Sequence, residues 1–138
     1  MTAAVLGVAL VVSIAAAEPA ERISAPDAYE RAQSEALTII DIRRPEEWAE
    51  TGLPAGAARA TLQDEDFVDR ILAAVDGDKT APIALTCRTG RRSERAARQL
   101  SEAGFTKVYN LREGWLGRAG SGPGWKARGL PVETYEAE

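Results

Sequence analysis

From Glu18 onward the chain carries three short apolar runs, none longer than a single buried strand, separated by stretches with helical periodicity. Leu37-Thr38-Ile39-Ile40-Asp41-Ile42 and Pro82-Ile83-Ala84-Leu85-Thr86 are nearly continuous and rich in β-branched or aliphatic residues. Runs of this kind suit strands buried on both faces. Lys107 to Leu111 reads as a third strand. Between the first two, Asp64 to Val75 places Phe67, Val68, Ile71, Leu72 and Val75 on one helical face. Between the second and third, Ser93 to Ala103 does the same with Ala96, Ala97, Leu100 and Ala103, and Gly104 stops it. Ser24-Ala25-Pro26-Asp27 predicts a helix start with the helix over Asp27 to Ser34, and Pro45-Glu46-Glu47-Trp48 opens a shorter helix. Strands alternating with helices imply parallel β-α-β units, so the expectation is one α/β layered domain. Gly114 to Gly124 reads as a loop, and Trp125 to Glu138 as a short helical turn followed by a tail.

Composition removes most catalytic options. The 138 residues contain no histidine and a single cysteine, Cys87. Serine–histidine triads, cysteine–histidine dyads, histidine metal sites, C-x-x-C pairs and internal disulfides are all excluded. A net charge of −4 speaks against a strongly basic nucleic-acid binder. What remains is a single activated thiolate, with no metal or organic cofactor required.

Residues 1–17, MTAAVLGVALVVSIAAA, are uncharged and apolar, too short to span a bilayer comfortably, and end in an A-x-A arrangement before Glu18. This predicts a signal peptide cut after Ala17 and an exported protein, in the bacterial periplasm. The absence of Lys or Arg from the leader leaves open an N-terminal anchor or a buried apolar helix. With the leader removed, no stable membrane association is expected. In an oxidising compartment a lone cysteine is free, paired with another molecule, or chemically employed.

Cys87 stands where the second strand runs into Arg88-Thr89-Gly90-Arg91-Arg92-Ser93 and a helix. Ligands gather at the carboxyl ends of parallel strands. A helix N-terminus there offers unpaired amides and a positive dipole end. Arginines 88, 91, 92, 95 and 98 face only Glu94 in this stretch. The expectation is an exposed thiol held toward its thiolate form inside a ring of amides. Arg88, Thr89, Gly90, Arg91, Arg92 and Ser93 would bind a small oxyanion, the guanidinium fork suiting sulfur or phosphorus oxygens. Arg95 and Arg98 read instead as a solvated helix face, and Trp48, Trp115 and Trp125 as packing residues. Asp41 and Arg43, at the end of a neighbouring strand, either support the active loop or form an ion pair bracing the strand end.

These residues resemble the rhodanese family of sulfurtransferases. Asp41 to Trp48 is similar to D-x-R-x-P-x-E-[FW], Gly52 to Ala57 to G-H-I-P-G-A, and Cys87 to Ser93 to C-R-x-G-x-R-S. Ala103 to Leu111 is similar to A-G-[FY]-x-x-V-x-x-L. Gly114 and Trp125 to Val132 resemble the closing G-G and W-x-x-x-G-L-P-V. The resemblance covers residues 22–133, leaving 134–138 as a tail. It implies a single domain with a parallel five-stranded sheet flanked by helices on both faces. It also implies that Cys87 accepts a sulfane sulfur as a persulfide and yields it to a second nucleophile. The partners implied are a small anionic sulfur donor, such as thiosulfate, and a thiol or cyanide-like acceptor.

Two departures stand out. Leu53-Pro54-Ala55 replaces the family's His and reorders the next two residues, and Glu113-Gly114 replaces a Gly pair, followed by the inserted-looking loop 115–124. Two other readings compete. One is a cysteine phosphatase or arsenate reductase, disfavoured because only four residues lie between Cys87 and Arg92 where those chemistries resemble C-x5-R. The other is a non-turnover sulfur carrier or partner-binding module.

Overall fold

The structure is a computed structural model that describes residues 2–4, 7–11 and 19–137. Its elements in chain order are β1 (Glu21–Ile23), α1 (Ala25–Gln33), β2 (Thr38–Asp41), α2 (Pro45–Thr51), β3 (Leu53–Pro54) and β4 (Ala58–Arg59), then α3 (Phe67–Ala74), β5 (Ile83–Thr86), α4 (Arg91–Glu102), β6 (Val108–Leu111) and β7 (Val132–Glu133). Five strands form one sheet in the order β1-β6-β5-β2-β4, every pair parallel. The expected five-stranded α/β architecture is present.

The central strands show why near-continuous apolar runs were needed. On β2, Ile40 points into a core with Ile83 and Leu85 of β5, Phe67 and Ile71 of α3, and Ala97 and Leu100 of α4. Ile39 and Ala84 point the other way, into a second core with Ala25 and Ala28 of α1, Leu111, Trp115 and Trp125. Alternate residues thus serve opposite faces, and the buried polar side chains of these strands, Asp41, Thr86 and Asn110, lie toward their carboxyl ends. Each fully buried Leu or Ile contributes about 1.5–3 kcal/mol by leaving water.

Element ends shift from expectation in ways that matter. α1 begins at Ala25 with Ser24 Oγ capping the Asp27 amide at 3.2 Å, and ends at Gln33. α3 starts only at Phe67, because turns occupy the residues from Thr61 to it. α4 starts at Arg91, two residues earlier than the pattern indicated, which moves Arg91 and Arg92 out of the loop and into the first helical turn. β1 and β4 are edge strands of three and two residues. After turns over 125–129, the chain returns so that β7 pairs antiparallel with β3, and Tyr135 packs edge-on against Trp48 at 5.3 Å. The tail is therefore docked at Tyr135. Most of the proposed leader, including the cleavage point at Ala17, lies outside the described residues. Residues 2–4 and 7–11 form neither helix nor strand, and among the described residues no helix is long and apolar enough to cross a membrane.

Candidate active site at the end of strand β5

Strand β5 lies between β6 and β2, with Asp41 opposite Thr86 in register. Cys87 follows at once. The loop then turns through Gly90, whose φ of +86° is left-handed, and α4 begins. Gly is required there on two counts. A side chain would be strained at that φ, and its Cβ would collide with the Arg112 carbonyl. Gly114, at φ +61°, is equally confined: a Cβ would lie 2.6 Å from the Arg88 carbonyl oxygen and 2.8 Å from that of Cys87. The turn after β6 is thereby pressed against the back of the Cys87 loop. Two amides complete the contact, Trp115 N donating to Cys87 O at 2.9 Å and Leu116 N to Arg88 O at 3.0 Å.

This tight closure corrects the expected exposure of the thiol. Cys87 is 0% exposed and belongs to the core cluster of β5 and α4. Its sulfur nevertheless has polar company. Gly90 N donates to Sγ at 3.1 Å, and Ser93 Oγ lies 3.3 Å away. One amide and one hydroxyl bond the sulfur where a ring of amides was anticipated, and the loop carbonyls of Cys87, Arg88 and Gly90 are taken up by the amides of Trp115, Leu116 and Glu94.

Ser93 and Gly90 are linked behind the sulfur by Asn110, a buried residue of β6. Ser93 Oγ donates to Asn110 Oδ1 at 2.6 Å, and Asn110 Nδ2 donates to Gly90 O at 3.2 Å. Ser93 is 0% exposed, so it touches the thiol from inside and presents no donor to a bound anion. Asn110 escaped the sequence reading. The available signal was an amide inside an otherwise apolar strand.

Arg92 also differs from expectation. Both its terminal nitrogens reach Glu47 of α2, Nη1 to Oε2 and Nη2 to Oε1, each at 2.7 Å. The bidentate Arg92 bond, reinforced by the Arg44 amide at 3.0 Å, outweighs burial and pulls the Glu47 carboxyl down to about 2. The same bond raises Arg92 above its ordinary value. Arg92 is a latch between α2 and α4 and has no free fork for an anion.

Arg88 and Arg91 are exposed, and Thr89 is half-buried. Arg88 borders a cleft of about 210 Å³ whose walls include Arg43, Glu47, Glu50, Trp115 and Lys126. Cys87 does not line it. A larger cavity of about 420 Å³, beside Trp48, Arg59 and Tyr135, is lined by none of residues 87–93, so the smaller cleft is the candidate mouth.

Asp41 and Arg43 form a buried ion pair, with Arg43 Nη2 2.9 Å from Asp41 Oδ2. Arg43 also donates to Gly52 O at 2.9 Å and Thr51 Oγ1 at 3.0 Å, tying the end of β2 to the end of α2. Its guanidinium lies 4.9 Å from the Trp115 ring centre, so the brace reaches the cleft through the residue that holds Cys87 O. Glu113, the departure from the Gly pair, is a second staple. Its carboxylate accepts from Ala25 N at 2.7 Å, Gly124 N at 2.9 Å and Arg128 Nε at 2.7 Å. Burial pushes this carboxyl up, but the guanidinium and two amides together hold it below its ordinary value.

The family model for the rhodanese-like domain matches residues 24–119. The thiosulfate sulfurtransferase GlpE of Actinobacillus pleuropneumoniae is 31% identical over 113 residues, covering 81% of this chain and 92% of that protein. Among solved structures, Rv0390 from M. tuberculosis superposes with a TM-score of 0.66 at 28% identity, covering 86% of this chain and 100% of the other. The polysulfide-sulfur transferase homodimer from Wolinella succinogenes gives 0.62 at 27% identity, covering 84% and 80%. These likenesses support sulfur transfer as the general chemistry. With most of its length matched by the family model, this chain belongs to the rhodanese-like domain family.

Proposed function

We propose that the protein moves a sulfane sulfur from a small anionic donor to a thiophilic acceptor through a persulfide on Cys87. The observation that carries this is the placement of its only thiol at the end of β5, with Gly90 N donating to Sγ. In the first half-reaction the thiolate attacks the outer sulfur of thiosulfate. A bond forms between the two sulfurs, the donor's sulfur–sulfur bond breaks, and sulfite leaves with that electron pair. In the second, cyanide or a thiolate attacks the outer sulfur of the persulfide, and the Cys87 thiolate is restored. In the closed loop the Gly90 amide donates to Sγ, the atom that bears the charge of the attacking thiolate.

Burial of Sγ adds a requirement. Attack needs the 87–90 loop to open toward the cleft beside Arg88, where exposed Arg88 and Lys126 attract the donor's negative charge. Arg91, exposed in the first turn of α4, adds positive charge near the loop, and Thr89 and Gly90 supply backbone groups once the loop is open. Asp41 and Arg43 act from behind, through Trp115.

The closed loop also favours a second reading, a carrier that loads once and yields sulfur only to a specific protein partner. Steady-state formation of thiocyanate from thiosulfate and cyanide separates the two. Sustained turnover that vanishes in Cys87→Ser supports the enzyme. Turnover retained in Cys87→Ser overturns Cys87 as nucleophile, and a single loading without turnover supports the carrier. We also propose export to the periplasm with residues 1–17 removed, the rhodanese-like domain spanning 22–133. Support for this lies in the uncharged apolar run and its A-x-A end.

A further inference from the structure

We propose that Asn110 is a positioning residue that sets the direction of the Ser93 hydroxyl proton and so holds Cys87 toward its protonated form while the loop is closed. The inference rests on Cys87 being the reacting group of the proposed transfer. Four buried groups form a closed circuit: Gly90 N to Sγ, Sγ to Ser93 Oγ, Ser93 Oγ to Asn110 Oδ1, and Asn110 Nδ2 to Gly90 O. The Gly90 carbonyl can only accept, so it fixes which end of the amide faces it. Oδ1 is then left facing Ser93. The serine has one proton, and at 2.6 Å that proton goes to Oδ1. Toward the sulfur, Ser93 presents lone pairs, which accept from a thiol and repel a thiolate.

A thiolate or persulfide anion therefore requires the Ser93 hydroxyl to turn away from Asn110 and donate to sulfur instead. Asn110 opposes ionisation, and Ser93, once turned, supports it. The two residues have opposite effects on the same thiol, although both belong to one network. The charged groups around the thiol are Arg88, Arg91 and Arg92 of the loop and α4, Glu47 of α2, the Asp41–Arg43 pair at the end of β2, and Arg112 and Glu113 of the turn after β6. None is altered by the substitutions below.

The test is the ultraviolet absorbance of the thiolate as a function of pH, in the full chain, with Cys87→Ser subtracted to remove the tyrosine contribution. With one cysteine in the sequence, the signal reports Cys87 alone. Asn110→Ala is expected to move the midpoint about one pH unit lower, the worth of one freed hydrogen bond. Asn110→Leu, which fills the same space without an acceptor, should do likewise and covers the case in which the alanine variant does not fold. Ser93→Ala should move the midpoint about one unit higher, and Ser93→Ala/Asn110→Ala should match Ser93→Ala. Asn110 variants that leave the midpoint in place or raise it, or a double variant below Ser93→Ala, overturn the inference. The readout needs no sulfur donor: these shifts without persulfide formation would strike the proposed function alone, and persulfide formation without them would strike this inference alone.

Discussion

Strands β5 and β6 are neighbours, and each ends in a buried polar cluster, yet the two clusters are built differently. After β6, Glu113 is saturated by two amides and a guanidinium at 2.7–2.9 Å, all fixed donors converging on one charge. After β5, Cys87 keeps one amide at 3.1 Å and a hydroxyl at 3.3 Å that is shared with Asn110. The first cluster has no alternative arrangement. The second contains a rotor, and rotating it changes which state of the sulfur is favoured. A fold can thus place a permanent staple and a switchable cradle side by side, the difference lying in whether the partners are charged and fixed or neutral and free to turn.

The contrast breaks most visibly at the staple. Glu113→Ala strands the Ala25 and Gly124 amides and removes the partner of Arg128, so unfolding in urea should show a loss of about 3–5 kcal/mol. The folded fraction should still take up sulfur on Cys87. Gly90→Ala should cost about 2–4 kcal/mol from the left-handed φ and the Arg112 carbonyl. It should also slow persulfide formation, since the amide on Sγ moves. If it lowers stability and leaves sulfur loading untouched, the cradle is not what positions the thiol.

The smallest effect is expected at the latch. Glu47→Gln removes a largely buried, bidentate ion pair and should cost about 1–3 kcal/mol. The sign with pH is definite. The folded Glu47 carboxyl sits at about 2 against an ordinary 4.5, so the latch contributes fully above the ordinary value and is lost as pH falls between the two. The stability gap between wild type and Glu47→Gln should be constant above about pH 5 and close progressively on acidification. A gap that persists at pH 2 would place the benefit of Glu47 elsewhere.

Legibility in the sequence followed burial. β2, β5 and β6 were readable because their apolar runs serve two cores. β1 and β4 were not, because a two- or three-residue edge strand is defined by its partner and leaves no periodicity of its own. The place of Cys87 was readable from residue order alone, since a strand running into a Gly-containing loop and a helix has few geometries. Its burial was not, because the turn that covers the loop is separated from it by the whole of α4 and β6. Pairings such as Arg92 with Glu47, 45 residues apart, and Ser93 with Asn110, 17 apart, arise only when helices and strands are laid side by side. Glu113 was visible as an anomaly beside Gly114, but its role depended on the amide of Ala25, 88 residues away.

That Cys87 carries the sulfur is tested most directly by intact-mass measurement of the protein, produced from the full sequence, after incubation with thiosulfate. The expected result is one added sulfur, ~32 Da, on wild type, removed by excess thiol and absent from Cys87→Ser. The same spectrum would report whether residues 1–17 are gone. A folded wild-type protein that takes up no sulfur from thiosulfate, polysulfide or a low-molecular-weight persulfide, or a Cys87→Ser variant that still does, would contradict the account.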